Sequence, residues 1–166
     1  MTTHATIAIH NDDDTYTAIY LHMDGYPEAA GKTLDAHYND EATIRRLMSL
    51  GDLSTLGEKP EDPGLLWDFE KVGIDGATKL KRESSVTLYH VWHLLTDTYC
   101  KSYRSRGEKH IDARTYKTED ELVENREQYL YAWDKDAGWR MACFADDGWR
   151  SLADVLSEIE AGEKSE

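Results

Sequence analysis

The sequence predicts an α+β domain with a mainly antiparallel sheet, built from two β-hairpins with helices packed on one face. Two stretches, residues 6–26 and 128–144, each contain two short strand patterns joined by a turn. The segments between and after them show little of the strand, helix, strand alternation that parallel sheets require. With 166 residues, of which 40% are apolar, the chain is long enough to bury its own core. We therefore expect a single globular domain over residues 1–166.

The first hairpin is predicted from Ala5–His10 and Thr15–Met23, two short apolar runs. Between them, Asn11 and the acidic run Asp12–Asp14 supply side chains that suit a turn. Three adjacent carboxylates can chelate a cation, but the segment lacks the spaced oxygen ligands, the glycine and the closing glutamate of a calcium loop. The pattern favours a solvated acidic turn over a metal site.

The end of the second strand carries an unusual row of polar side chains. Because side chains alternate between the two faces of a strand, Tyr20, His22 and Asp24 are expected to project together. A histidine beside a carboxylate can serve general acid–base chemistry, which makes His22 and Asp24 candidate catalytic residues. The same residues can instead form a hydrogen-bonded structural cluster that fixes the hairpin to the following helix through His37. The sequence leaves both interpretations open.

Two helices are expected after the first hairpin. Glu28–Tyr38 is predicted to be helical, although one internal glycine weakens it. Glu41–Leu50 has an apolar stripe, with Asp40 as its N-cap and Gly51 as its natural C-cap. Residues 52–57 are predicted to form a compact turn that tucks two leucines under this helix.

The middle of the chain is less regular. Residues 58–76, which contain two of the three prolines, are predicted to form an irregular loop or an insertion. Val86–Cys100 fits a helix better than a strand. Its histidines, His90 and His93, are one helical turn apart, but no third ligand shares their spacing, so surface histidines are favoured over a metal site. The two cysteines lack a C-x-x-C partner and are expected to be buried free thiols.

A basic island interrupts this acidic chain between residues 101 and 117. Arginine offers a planar fork that matches a phosphate or a carboxylate, so the island is a candidate anion site. The alternative is that its cations pair with the excess carboxylates of the protein itself. The candidate anion-binding residues are Arg104, Arg106, Lys109 and Arg114.

The last third of the sequence predicts a helix, a hairpin and a final helix. Thr118-x-x-Glu121 is a capping box that opens the helix Glu119–Arg126. Gln128–Asp134 and Trp139–Phe144 are the predicted strands of the second hairpin. A helix is expected after Ser151, with apolar residues at i, i+3, i+4 and i+7, and the polar tail 161–166 is expected to fray.

Composition limits the classes of partner. The formal net charge of −14, from 33 acidic and 19 basic residues, disfavours direct binding of nucleic acid or a membrane surface. No apolar run approaches the roughly 18 residues that span a bilayer, and no signal-peptide pattern is present, so a cytoplasmic location is expected. The sequence contains no P-loop, dinucleotide fingerprint, nucleophile elbow or metalloprotease helix. No cofactor or metal is predicted, and a non-enzymatic role is favoured.

Several short motifs in the first third of the chain resemble a widespread group of small phage and prophage proteins. The motifs are Ala5-Thr6-Ile7-Ala8-Ile9, Tyr20-x-His22-x-Asp24-Gly25-Tyr26, Gly31, His37-Tyr38-x-Asp40 and Leu50-Gly51-Asp52-Leu53-Ser54-x-Leu56-Gly57. A weaker likeness continues in Tyr103–Glu108 and in the second predicted hairpin. The resemblance implies a phage or mobile-element origin, and small accessory proteins of that origin frequently act on host machinery, including defence systems.

Two functions from different classes follow as expectations. The first is a phage-encoded acidic accessory protein that binds and inhibits a host protein with a basic surface, such as a defence nuclease or a CRISPR-type complex. The second is a protein or enzyme that binds a small anion or nucleotide through His22, Asp24 and the basic island. For the first, the candidate binding residues are Asp12, Asp13, Asp14, Tyr20, Asp146 and Asp147.

Overall fold

The computed structural model describes residues 3–64, 95–143 and 148–164. The strands are β1 Ala5–His10, β2 Tyr16–Leu21, β3 Leu53–Thr55, β4 Lys101–Ser102, β5 Arg114–Tyr116, β6 Tyr129–Asp134, β7 Gly138–Cys143 and β8 Arg150–Ser151. The helices are α1 Lys32–His37, α2 Glu41–Ser49, α3 Glu119–Glu124 and α4 Leu152–Lys164, with a π-helical turn at Pro27–Gly31 and a 3-10 turn at Arg104–Arg106. Within the described ranges these strands form one sheet in the order β4-β3-β2-β1-β6-β7-β8, and β5 also pairs with β2.

The sheet combines antiparallel and parallel pairs. β1 pairs antiparallel with β2, and β6 pairs antiparallel with β7. These two pairs are joined through β1 and β6, which run parallel, and β2 and β3 are parallel as well. The α+β class is confirmed, whereas the sheet is mixed rather than wholly antiparallel. The direction of the β1–β6 pair depends on the path of the chain between the two strands, which their residue pattern does not encode.

The main hydrophobic core lies on one face of the sheet. Strands β1, β2, β6 and β7 contribute alternate side chains to it, because residues i and i+2 of a strand share a face. Leu34 of α1, Ile44 and Leu47 of α2 and Leu152 of α4 pack against this face and are fully buried. The strand residues of this core include Ile7, Ile9, Ile19, Leu21, Tyr131, Trp133, Trp139 and Met141.

A smaller core covers the opposite face, which corrects the prediction that the helices pack on one face alone. Leu122 of α3 is fully buried there and packs with Ala8, Leu130 and Ala132. The sequence shows that α3 has an apolar side, but it does not indicate which face of the sheet that side meets. The small side chains of Ala8, Ala18 and Ala132 let the short helix approach this face closely.

Local signals in the first helices are largely confirmed. The Asp40 side chain accepts a hydrogen bond from the Thr43 amide at 2.8 Å and caps α2. Gly51 follows this helix with a φ of 74°, a conformation that glycine adopts without strain. The predicted helix over Glu28–Tyr38 is divided into the π-helical turn and α1. Residues 53–55 form β3 instead of the predicted compact turn, because they pair with neighbouring strands.

Two short strands share one edge of β2. β1 occupies the other edge along the whole of β2, from Tyr16 to Leu21. On the shared edge, β5 pairs with residues 16–18, and β3 pairs at Leu21. The segment between these pairings contains Ile19 and Tyr20, whose edge is left without a partner strand. The candidate site described below lies at this gap.

Other boundaries differ by a few residues or lie outside the described ranges. Helix α3 ends at Glu124, two residues before the predicted end, and α4 continues to Lys164, through part of the predicted frayed tail. Residues 95–98 are helical, whereas the rest of the predicted helix before them, with His90 and His93, lies outside the described residues. In the described part of the chain, no helix has both the length and the apolar character needed to cross a membrane.

Candidate functional site

A polar cavity of about 300 Å³ lies at the gap between β3 and β5. The residues that border it come from β1, β2, β5, the position just before β3 and the segment after α3. Its side chains belong to the face of the sheet opposite the main core, since Tyr20, Ala18 and Thr6 alternate with core residues. The polar residues of the lining are Thr6, Tyr20, Asp52, Arg114, Tyr116, Asn125 and Glu127.

Asp52 and Arg114 close the gap in the sheet. Arg114 donates two parallel hydrogen bonds to the Asp52 carboxylate, from Nη1 at 2.8 Å and from Nη2 at 2.7 Å. The same carboxylate accepts the Tyr20 backbone N–H at 2.9 Å, which replaces the missing partner strand. The Asp52 side chain is only 8% exposed, whereas that of Arg114 is 44% exposed. Hydrogen bonding to Asp52 raises the pKa of Arg114, so the pair is an ionised link between β2, β3 and β5.

Tyr20 lies between two histidines. Its hydroxyl is 2.7 Å from Nδ1 of His22 and 3.0 Å from Nδ1 of His4. The two imidazole rings have centroids 4.7 Å apart. The His22 backbone is held by its N–H, which donates to the Leu53 carbonyl of β3, and the His4 N–H donates to the Gln128 side chain. The cluster therefore ties the end of β2 to β3 and to His4, the residue that precedes β1.

The distances assign the protons in this cluster. Nδ1 of His4 lies 2.7 Å from the His22 carbonyl, which can only accept, so this nitrogen carries the proton. The Tyr20 hydroxyl then donates to Nδ1 of His22, which leaves the His22 proton on Nε2. His22 is thus held as a neutral imidazole by a hydrogen bond to its unprotonated nitrogen. Burial, and then the nearby His4, lower the pKa of His22 and so also favour the neutral imidazole.

We expect NMR titration to give His22 a pKa below the ordinary value of about 6.5. The Y20F variant should raise that pKa, because the neutral imidazole loses its hydrogen-bond donor. The folded state takes up this proton at a lower pH than the unfolded state, so the residue's contribution to stability falls as the pH drops below about 6.5. Y26F, at an exposed tyrosine, is the control. A His22 pKa that Y20F leaves unchanged would contradict the proton assignment.

Tyr20 remains protonated across the physiological range. Burial, and then the negative charge of Glu127, raise the pKa of Tyr20 to about 12. The backbone N–H of Glu127 donates to the Thr6 hydroxyl at 3.0 Å, which holds the segment after α3 against β1. Glu127 borders the cavity, and its negative charge influences the pKa of Tyr20, so its carboxylate belongs to the same site as Tyr20.

Asp24 is not in the cluster of Tyr20 and His22. Strand β2 ends at Leu21, and Asp24 has a φ of 56°, so the alternation on which the prediction relied stops before Asp24. Asp24 borders a second cavity, of about 400 Å³, whose other residues include Met23 and Thr33. The sequence thus predicted the meeting of Tyr20 with His22 but placed Asp24 with them by extending the strand too far. His37, the other suggested partner, instead lies 3.7 Å from the Glu58 carboxylate.

The arginines of the basic island are paired with carboxylates of the protein. Arg104 forms an ion pair with Asp112 and donates to the Ser49 carbonyl at 2.6 Å. Arg106 pairs with Glu108, two residues away, and lies over the Tyr103 ring. Arg114 binds Asp52, as described above, and Lys109 is exposed in the turn between β4 and β5. Each of the three arginines therefore has a carboxylate partner within the protein.

The acidic turn between β1 and β2 is exposed and is held by local contacts. Asp12 pairs with Lys135 at 2.8 Å, and the Thr15 amide and hydroxyl both donate to Asp13. Asp14 lies 3.0 Å from His10 and is 89% exposed. Nδ1 of His10 also lies 2.7 Å from the Asp134 carboxylate. This hydrogen bond, together with two from backbone N–H groups, lowers the pKa of Asp134 to about 2. The candidate residues Asp146 and Asp147 lie outside the described residues.

The sequence did not indicate six polar residues of the site, which are His4, Thr6, Asp52, Tyr116, Asn125 and Glu127. Of these, His4, Asp52 and Glu127 reach the cavity or the cluster from a segment that precedes or follows a predicted element. Asp52 directly follows Gly51, the residue after the C-cap of α2, and no local pattern specified the direction of its side chain. Among the described residues, no group of three His, Cys, Asp or Glu side chains is arranged to hold a metal ion.

Comparison of the chain with protein-family models, curated proteins and solved structures found no match.

Proposed function

We propose that this protein acts by binding a basic surface of another protein, and that it inhibits that partner without catalysing a reaction. The observation that carries the proposal is the internal pairing of the basic island. Arg104, Arg106 and Arg114 are each bound to a carboxylate of the protein, so the positive charge that could attract an anion is largely neutralised. With a formal net charge of −14, the surface offered to a partner is acidic.

The acidic groups are placed where a partner can reach them. The side chains of Asp12 and Asp14, at the tip of the β1–β2 turn, are 78% and 89% exposed. The first turn of α3 adds three acidic residues at another part of the surface. Exposed charges of one sign attract an oppositely charged protein over about one Debye length, and they increase the association rate more than the final affinity.

The resemblance to phage and prophage proteins supports a more specific form of the proposal. A small acidic accessory protein of that origin suits the inhibition of a host protein that has a basic groove, such as a defence nuclease or a CRISPR-type complex. A basic groove that normally holds nucleic acid is complementary to an acidic surface, so occupation of the groove would exclude the nucleic acid. On this proposal the protein contacts its partner and not the nucleic acid.

Affinity capture tests the proposal. The tagged protein is incubated with host lysate at about 0.1 M salt and washed at about 1 M salt, where the Debye length falls from ~10 Å to ~3 Å. We expect a specific basic protein to be retained at low salt and released at high salt, and the purified partner to lose activity when the acidic protein is added. Retention of no protein by the folded chain would overturn the proposal.

A matched pair of charge variants tests which surface is used. The triple variant D12N/D13N/D14N keeps the turn, because asparagine still accepts hydrogen bonds and tolerates the φ of 65° at position 14. We expect it to slow association with the captured partner by about tenfold at low salt. D154N/E160Q/E163Q removes the same charge from α4 and is the control. Equal losses for both variants would show that total charge, and not the acidic turn, governs binding.

A further inference from the structure

We propose that the cavity between β3 and β5 receives an arginine side chain of the basic partner. This inference rests on the proposed function, because it names the feature of the partner that the site would recognise. It concerns the cavity beside Tyr20, not the exposed acidic turn.

The lining carries one uncompensated negative charge. Asp52 and Arg114 neutralise each other through their two hydrogen bonds, at 2.8 and 2.7 Å. Glu127 has no such partner: its backbone N–H binds Thr6, while its carboxylate forms no ion pair among the residues that the structure describes. An entering cation would remove this imbalance. An anion would meet the Glu127 carboxylate and an arginine whose terminal nitrogens already bind Asp52, so the site disfavours phosphate.

The free polar atoms of the lining are mainly acceptors. Nδ2 of Asn125 donates to the Glu121 carbonyl at 2.8 Å, so its Oδ1 points the other way and remains able to accept. The Tyr20 hydroxyl is already engaged, at 2.7 Å from Nδ1 of His22 and 3.0 Å from Nδ1 of His4. Oδ1 of Asn125 and the Glu127 carboxylate are therefore the acceptors that suit a group with several N–H donors. A guanidinium has five in a plane, whereas the ammonium of lysine is a compact point charge.

The size and the aromatic lining agree with this occupant. A volume of about 300 Å³ is at the lower limit of small-molecule pockets and accommodates one long side chain. Tyr20 and Tyr116 border the cavity, and aromatic side chains are favourable neighbours of a planar cation. Arg114 does not repel the entering guanidinium strongly, since its charge is balanced at short range by Asp52.

The test uses N-acetyl-arginine amide as a probe and requires no partner protein. In amide NMR spectra, we expect the probe to shift the signals of Tyr20, Asn125 and Glu127 in a saturable manner. E127Q keeps the shape of the side chain and removes its charge, and it should weaken the probe's binding by about tenfold, equivalent to about 1.4 kcal/mol. N125A should weaken it less, and E163Q, at an exposed residue of α4, should leave it unchanged.

The controls separate the outcomes. N-acetyl-lysine amide should bind more weakly than the arginine probe, and inorganic phosphate should not shift the same signals. Equal binding to the wild type and to folded E127Q, or binding of phosphate in place of the cation, would overturn the inference. If E127Q does not fold, the comparison of N125A with E163Q decides the question. If the arginine probe does not bind but affinity capture still retains a basic protein, the arginine site alone is refuted. If the probe binds but capture retains no protein, the proposed function alone is refuted.

Discussion

Replacement of Asp52 by alanine is expected to lower the free energy of unfolding by about 3 kcal/mol. The carboxylate is nearly buried and serves two groups at once, the Arg114 guanidinium and the Tyr20 backbone N–H. Its removal leaves the amide of Tyr20 without an acceptor and the arginine without its counter-ion. It also frees β3 and β5 from each other at the gap in the edge of β2.

Thermal or denaturant unfolding measures this effect. For a chain of this size, a loss of about 3 kcal/mol lowers Tm by about 6 to 12 °C. D112A is the matched control, because it removes the carboxylate partner of Arg104 where the Asp112 side chain is 82% exposed. An exposed pair contributes about 1 kcal/mol or less, so this variant should unfold close to the wild type. Similar Tm values for D52A and the wild type would show that the link does not support the sheet.

Replacement of Gly57 by alanine is expected to destabilise the fold by about 3 kcal/mol. An added Cβ would lie 2.3 Å from the carbonyl oxygen of Tyr99 and 2.4 Å from its carbonyl carbon. These are backbone atoms, which cannot move aside as the end of a flexible side chain can. Gly57 also accepts the Tyr38 hydroxyl at 2.7 Å and donates to Cys100 Sγ at 3.3 Å, so a shift of the backbone would disturb a buried junction.

The G57A prediction has an internal control in G148A. At Gly148 an added Cβ would have no neighbouring atom within 4 Å, and the backbone does not require glycine. We expect the urea midpoint of G148A to match that of the wild type and the midpoint of G57A to be much lower. A near-normal midpoint for G57A would mean that the two segments around Tyr99 and Gly57 separate at little cost.

The candidate site was only partly predictable, for a reason that its residues illustrate. Tyr20 and His22 are two positions apart on one strand, so the alternation of side chains was enough to bring them together. His4 and Asp52 reach the same region from remote parts of the sequence, by 16 and 32 positions from Tyr20. Nothing in the local pattern around either residue specifies that approach. The basic island shows the same limit, since its position was evident but the carboxylate that binds each arginine was not.

The sequence by itself determined the elements whose signals are local. Asp40 and Thr118 cap the helices that follow them, Gly51 follows the C-cap of α2 with a positive φ, and the alternating residues of β1, β2, β6 and β7 divide their side chains between two faces. Only the tertiary structure decided the parallel pairing of β1 with β6, the position of α3 on the second face and the sharing of one edge of β2 by β3 and β5. The physical reason is that caps and alternation act over a few residues, whereas strand partners depend on chain paths that close long loops.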